Sequence, residues 1–419
     1  MKRLLNLEYA GVHGFYWMIY GVVCSFASLF LLSRGYDNSQ IGLILAAGNV
    51  AAVFLQPLLA DLADRSKKIS LIGLTEMAAV VMAVLMALLF VMNRATLALA
   101  AVFLLLLAWV TALQPLFNSL AFKLEESGHK INFGVARSMG SLAYSIMCAF
   151  LGTLAEKHGV SILPLTGELL LALLFITLLL LARHFRQAVK SRRLAAANAD
   201  AAGFYGMSGD AGAAEEERCR SREEPDIDLR QFIRRNKLFM LISLGVGGIF
   251  FSNAVFNSFM LQIIEGVGGN SEDMGRVLSL MAFLEIPPMF FFSRVHMRFS
   301  CQTLLKLAAL CFTIKVVWTL LAQSVLMVFA AQFFQLLSFG LFLPAMVVFI
   351  DELMERGEAV KGQALYTIVI TVSTVFASLT DGFLLDLGGS KALLLAASLV
   401  TAAGTLLFIL VIGRLKPHK

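Results

Sequence analysis

Apolar runs of about twenty residues recur along this chain, separated by short polar breaks. That spacing predicts helices long enough to cross a hydrocarbon core about 30 Å thick. The runs cover residues 9–32, 39–60, 70–92, 96–120, 135–156, 162–183, 238–262, 273–293, 302–322, 325–350, 362–385 and 391–412. A transmembrane β-barrel would instead alternate over segments of about ten residues. Short breaks predict antiparallel neighbours. One break differs: residues 184–236 hold a basic start (RHFRQAVKSRR), an Ala/Gly-rich middle and a charged end. Nothing there can bury a core, so the stretch reads as a disordered linker. It separates six spans in 1–183 from six in 237–419. The expected fold class is an all-α membrane protein, with twelve transmembrane helices in two six-helix bundles.

Composition agrees. The chain is 59% hydrophobic and 15% charged, against about 25% charged in soluble domains. Lys and Arg crowd the termini and the even-numbered breaks: Lys2, Arg3, Arg65, Lys67, Lys68, Lys123, Lys130, the linker, Arg294, Arg298, Arg356, Lys361 and Arg414. The odd-numbered breaks hold Arg34, Arg94, Lys157, Arg276 and Lys391. This bias places both termini and the linker in the cytoplasm, with the protein in an inner (plasma) membrane. It also accounts for the net charge of +6 without a nucleic-acid partner. The opening residues run through Glu8 into an apolar stretch too long for a cleavable signal. The cysteines (Cys24, Cys148, Cys219, Cys301, Cys311) have no paired spacing, which argues for free thiols with neither disulfide framework nor metal site. No phosphate-binding G-x-x-x-x-G-K-S/T, H-E-x-x-H or G-x-S-x-G occurs. An enzyme, a cofactor and direct use of ATP are therefore not expected.

Ionisable residues inside apolar runs carry the candidate chemistry, because a charge at the bilayer centre costs about 3 kcal/mol or more and needs a partner. Glu285 lies roughly 14 Å from the basic turn Arg294–Arg298, and Lys315 roughly 20 Å from that same side. Both belong near the midplane, as a structural pair or as part of a transport site. Arg137 lies up to roughly 10 Å inside the fifth run. His13, Tyr16, Trp17 and Tyr20 share one helical face that could stack on a ring. Asn253 and Asn257 share another; Asn49, Gln56, Gln114, Asn118, Gln332 and Gln335 are further polar groups needing partners. Glu76 is expected to be paired inside its span, Lys306 to snorkel, and Asp381, Asp386 and Glu265 to sit at the outer surface.

Local motifs add a resemblance. Residues 54–68, FLQPLLADLADRSKK, resemble the signature between the second and third helices of the major facilitator superfamily, with Asp64 and Arg65 as its Asp-Arg core and Ala60 in place of its first glycine. An Asp at a helix end that pairs with Arg across the turn can clasp one conformational state of a rocking transporter; topology-setting charge alone is the other reading. INFGVARSMGSLAYS (131–145) is similar to the fifth helix of the lactose-permease and phenylpropionate-permease-like branch of proton symporters, which puts Arg137 at the substrate-binding arginine. EIPPMFFFSR from Glu285 and TIKVV from Thr313 resemble its eighth and ninth helices, where a carboxylate and a basic residue serve the substrate and proton site. This chain departs from the branch at Ser119–Leu120, which lacks the sugar-binding glutamate, and at Gln335 and Ser338, which replace a His and a proton-binding Glu.

The resemblance implies a secondary transporter working by alternating access, expected to be a monomer, with proton symport as the family's default. With the tenth-helix acid missing, Glu285 is the carboxylate left near the midplane of the second half to carry a proton. The substrate would be a small organic solute: an aromatic carboxylate, a nucleoside or a sugar. Its site would comprise Arg137, Glu285, Lys315, Tyr16, Tyr20, Asn253, Asn257 and Gln335. A proton-independent facilitator, a drug-type antiporter and a non-transporting receptor or scaffold are the competing readings.

Overall fold

A computed structural model describes residues 2–65, 70–201, 229–354 and 358–415, and every regular element among the described residues is a helix. α1 (Lys2–Tyr20) continues through a π-helical turn (Gly21–Ser25) into α2 (Ala27–Ser33), bent by 47°, and together they form the first span. Single helices make the next five: α3 (Asn38–Arg65), α4 (Leu71–Val91), α5 (Leu97–Glu125), α6 (Phe133–His158) and α7 (Ile162–Ala201). After the short α8 (Leu229–Arg235), α9 (Lys237–Ser258) and α10 (Met260–Glu265) form the seventh span. α11 (Ser271–His296) and α12 (Cys301–Leu320) are the eighth and ninth. The tenth is broken into α13 (Val325–Gln332), a 3-10 turn (Phe333–Leu336) and α14 (Phe339–Leu353). α15 (Ala359–Ile412) carries the last two, because the backbone leaves helical geometry at Gly388 and Gly389. Gly389 has φ +67°, a conformation that costs glycine little. The architecture is thus twelve spans in two six-helix bundles.

The polar breaks act as helix starts. Ser70, Thr96, Asn132, Ser300 and Ser324 each accept a backbone N–H from their own first turn, and Asn270 forms a reciprocal capping box with Asp273. Such caps satisfy donors that lipid could not. Outward faces carry large apolar side chains, among them Leu43, Phe54, Phe150, Phe290, Leu326 and Leu399. The basic start of the 184–236 stretch is helical, as the continuation of α7; His184 Nδ1 lies 2.6 Å from Glu8 Oε1, and Arg192 donates to the Glu126 carbonyl at 2.8 Å. Residues 202–228 lie outside the described residues.

The two bundles meet where α3 crosses α15 and where α6 crosses α11, at the end of the molecule away from the chain termini. Backbones touch there. A Cβ on Gly42 would fall 2.2 Å from the Ser378 carbonyl oxygen, and one on Gly275 2.4 Å from that of Cys148. Asp386 accepts from the Asn38 side chain at 3.0 Å, from the Ser39 backbone N–H at 2.7 Å and from the Ser39 hydroxyl, so it closes the exposed N-terminus of α3. Gln262 donates to Asn38 at 3.0 Å, Ser271 to Glu156 at 2.5 Å, and the Ser145 hydroxyl to the Ser279 carbonyl at 2.9 Å.

Two acids depart from the expectation, one in its position and one in its pairing. Asp381 is fully buried rather than at the outer surface, and neither of its carboxylate oxygens has a hydrogen-bond partner. The neighbouring Thr380 hydroxyl is committed to the Phe376 and Ala377 carbonyls. Distance along the helix put Asp381 at the surface, but the α3–α15 crossing extends outward past it. Glu76 leaves one buried oxygen, Oε1, without a partner, where a pair was expected.

Candidate functional site

A cavity of about 450 Å³ lies between the bundles. The first bundle contributes Trp17, Tyr20, Asn49, Gln114, Arg137 and Ser141, and the second contributes Asn253, Asn257, Phe339 and Glu285. Sequence singled out Asn49, Gln114, Asn253 and Asn257 among its neutral polar residues without separating them from the others. In the structure Gln56 and Gln332 turn to the Thr111 and Val328 carbonyls instead, at 3.4 and 2.9 Å. Asn257 donates to the Asn253 carbonyl at 2.8 Å, and Asn49 to that of Leu45 at 2.9 Å. Each amide thereby anchors itself to its own helix while its residue lines the cavity.

Arg137 stands on α6, with its guanidinium carbon 4.2 Å from the centroid of the Trp17 ring and one N–H donated to Ser141 Oγ at 2.9 Å. The stack is attractive because the indole face is electron-rich. It holds the fork against the cavity wall with donors left for an incoming acceptor. Gly140 makes this seat possible, since a Cβ there would lie 2.4 Å from Trp17. The aromatic face of the first span divides. Trp17 and Tyr20 line the cavity. Tyr16 does not: it is 1% exposed and donates to the Val110 carbonyl at 2.9 Å. His13 is likewise buried, 2.9 Å from the Tyr9 hydroxyl. Residues three and four apart share a face only loosely, and a cavity edge running along α1 falls between them.

Glu285 faces the cavity from α11, and its partner is not Lys315 directly. Gln335 stands between them. Its Nε2 donates to Glu285 Oε1 at 2.8 Å, while its Oε1 accepts from Lys315 Nζ at 2.6 Å. Lys315 is 1% exposed, with Nζ 4.3 Å from the Phe256 ring centroid. Lys315 and Gln335 therefore form the wall behind Glu285 and do not line the cavity. Gln335 sits in the 3-10 turn that interrupts the tenth span. The span approaches α11 closely because Gly340 is bare: a Cβ there would lie 2.5 Å from Pro288 and 3.3 Å from the Glu285 Cα. Sequence located all three polar groups but not their order in space.

Only part of the Asp-Arg motif falls among the described residues. Arg65 pairs with Asp61, one turn earlier on α3, and both are exposed. The Asp64 side chain and residues 66–69 lie outside the described residues.

With the geometry in place, the chain can be set beside known proteins. It matches the model of the MFS_1 like family over residues 7–396. No curated protein matches it. Among solved structures it is similar to the nucleoside transporter NupG, at 11% identity and a TM-score of 0.71, covering 97% of this chain and 98% of that one. It is also similar to the POT family transporter PepTSo, at 12% identity and a TM-score of 0.69, over 99% and 98% of the two chains. A POT family transporter in complex with 5-aminolevulinic acid superposes with a TM-score of 0.67 at 13% identity, covering 98% and 95%. At such identities the likeness carries the fold alone. The family match spans nearly the whole chain, so this multi-pass membrane protein belongs to the MFS_1 like family and is a transporter of the major facilitator type.

Proposed function

We propose that this protein takes up a small, ring-bearing, polar solute together with a proton, by alternating access, across the inner (plasma) membrane with both termini in the cytoplasm. One observation carries the reading: Arg137 and Glu285 face a single cavity from opposite bundles, beside a half-buried indole that lines it. A cation with spare donors and an aromatic face together suit an aromatic carboxylate. Glu285 is the only carboxylate among the described residues lining the cavity, so it is the group to carry the proton. Lys315, relayed through Gln335, would hold the site near neutrality when that proton leaves. The contacts that close the far end would break as the bundles rock about the cavity.

A nucleoside is the second reading. It is favoured by the amides of Asn49, Gln114, Asn253 and Asn257 around the indole, and by the likeness to a nucleoside transporter.

Uptake of labelled aromatic carboxylates and nucleosides into proteoliposomes, with and without an imposed pH gradient, tests both. Gradient-driven accumulation in wild type should be lost in Glu285→Gln, with counterflow exchange retained. Accumulation indifferent to the gradient, or unchanged coupling in the variant, would remove Glu285 from the mechanism. Binding without any uptake would favour a receptor.

A further inference from the structure

Three ligand-type side chains meet at the end of the second bundle nearest the chain terminus. His296 closes α11, Cys301 opens α12, and Glu352 lies in the last turn of α14. The imidazole sits between the other two, with Nδ1 3.4 Å from Cys301 Sγ and Nε2 3.4 Å from Glu352 Oε1. One ligand atom from each residue can be chosen so that all lie within 4.8 Å of one another. Cys301 is 2% exposed, while the His296 and Glu352 side chains are 32% and 23% exposed. The thiol thus forms the floor of the cluster and the other two its rim. Phe292 stacks beside the imidazole: the two rings are 4° from parallel with centroids 5.7 Å apart. The segment is also anchored, since Gln302 donates to the Leu415 carbonyl at 2.7 Å.

We propose that this cluster binds a divalent transition-metal ion, Zn²⁺ foremost, through Cys301 Sγ, one His296 nitrogen and the Glu352 carboxylate, with water as fourth ligand. A mixed sulfur, nitrogen and oxygen set suits Zn²⁺, whereas Ca²⁺ and Mg²⁺ take oxygen ligands. Bonds of about 2.0–2.3 Å to a tetrahedral ion separate its ligand atoms by roughly 3.5 Å. The cluster would need to contract by little more than about 1 Å at its widest. The ring, which now bridges its neighbours through different nitrogens, turns so that one faces the ion. The Cys301 thiol proton leaves to solvent as the thiolate coordinates. On the orientation proposed above, the cluster faces the cytoplasm, where thiols stay reduced. An ion there would tie α11 to α14. Both helices line the cavity, through Glu285 and Phe339. Sequence spacing hides the site, because the ligands come from three helices and the cysteine stands alone.

Purified full-length protein without a histidine tag, titrated in detergent first with Zn²⁺ and then with Co²⁺, provides the test. One chelator-removable ion per chain is expected, and the Co²⁺ form should show a thiolate-to-metal charge-transfer band. Cys301→Ser should abolish the band and weaken Zn²⁺ binding roughly tenfold or more, since even partners outside the ligand set are worth that much. Should that variant fail to fold, His296→Ala and Glu352→Gln carry the same comparison with the thiol intact. The proposal is overturned if wild type binds no Zn²⁺ below about millimolar, or if binding is unchanged in every folded variant.

Discussion

Gln335 is the most informative residue to change, because two ionisable groups depend on its one amide. In Gln335→Leu the buried Lys315 loses the acceptor 2.6 Å from its Nζ, and Glu285 loses the donor 2.8 Å from its Oε1. A hydrogen bond to an ionised group is worth about 1.5–3 kcal/mol. Stranding a buried charge costs about 3–5 kcal/mol. Glu285 borders the cavity and can turn to water, so most of the cost falls on Lys315, which among the described residues keeps the Phe256 ring. We expect a loss of about 3–5 kcal/mol in unfolding free energy, read from denaturant titration in detergent with tryptophan fluorescence. Gln335→Glu should lose less, because it still accepts from Lys315. Lys315→Met added to Gln335→Leu should recover part of the loss, because the stranded charge is gone. A Gln335→Leu variant within about 1 kcal/mol of wild type, below the worth of even one such bond, would refute the reasoning: Lys315 would then have found another partner, and the relay would be incidental.

Two further predictions concern the gate and the cavity. Gly275→Ala puts a methyl 2.4 Å from the Cys148 carbonyl at the closed end. Overpacking of about 1–3 kcal/mol should raise labelling of a cysteine placed at Ser279 by an impermeant thiol reagent from that side, and unchanged labelling would show that the crossing yields. Arg137→Lys keeps the charge but loses the flat fork over Trp17. Roughly tenfold weaker half-saturation for the solute identified by the uptake panel is expected, and equal affinity would remove the stack from recognition.

The fold was legible in the sequence to a large degree, and the reason is solvent. In hydrocarbon each backbone N–H and C=O must be satisfied within its own helix. Apolar length alone therefore announces each span, and polar residues between spans supply the caps. Glu285, Lys315 and Arg137 were visible for the same reason: a charge inside an apolar run is costly and so stands out. Their arrangement was not visible. Gln335 between Glu285 and Lys315 depends on a 3-10 turn and on the bare Gly340 beside Pro288, and neither leaves a periodic trace. Tyr16 and Tyr20 share a helix face, yet only Tyr20 reaches the cavity. The boundary between core and cavity is drawn by the neighbouring helices rather than by α1.

Sequence by itself thus determined the class of molecule, the number and approximate limits of its spans, and which residues pay a desolvation cost that demands explanation. Only the tertiary structure decided which polar groups face one shared space, that Asp381 is sealed into a helix crossing, and that His296, Cys301 and Glu352 converge. Those outcomes depend on how helices distant in sequence approach one another. Such approaches are set by small residues at crossings and by side chains from both partners, and no single segment encodes both sides of a contact.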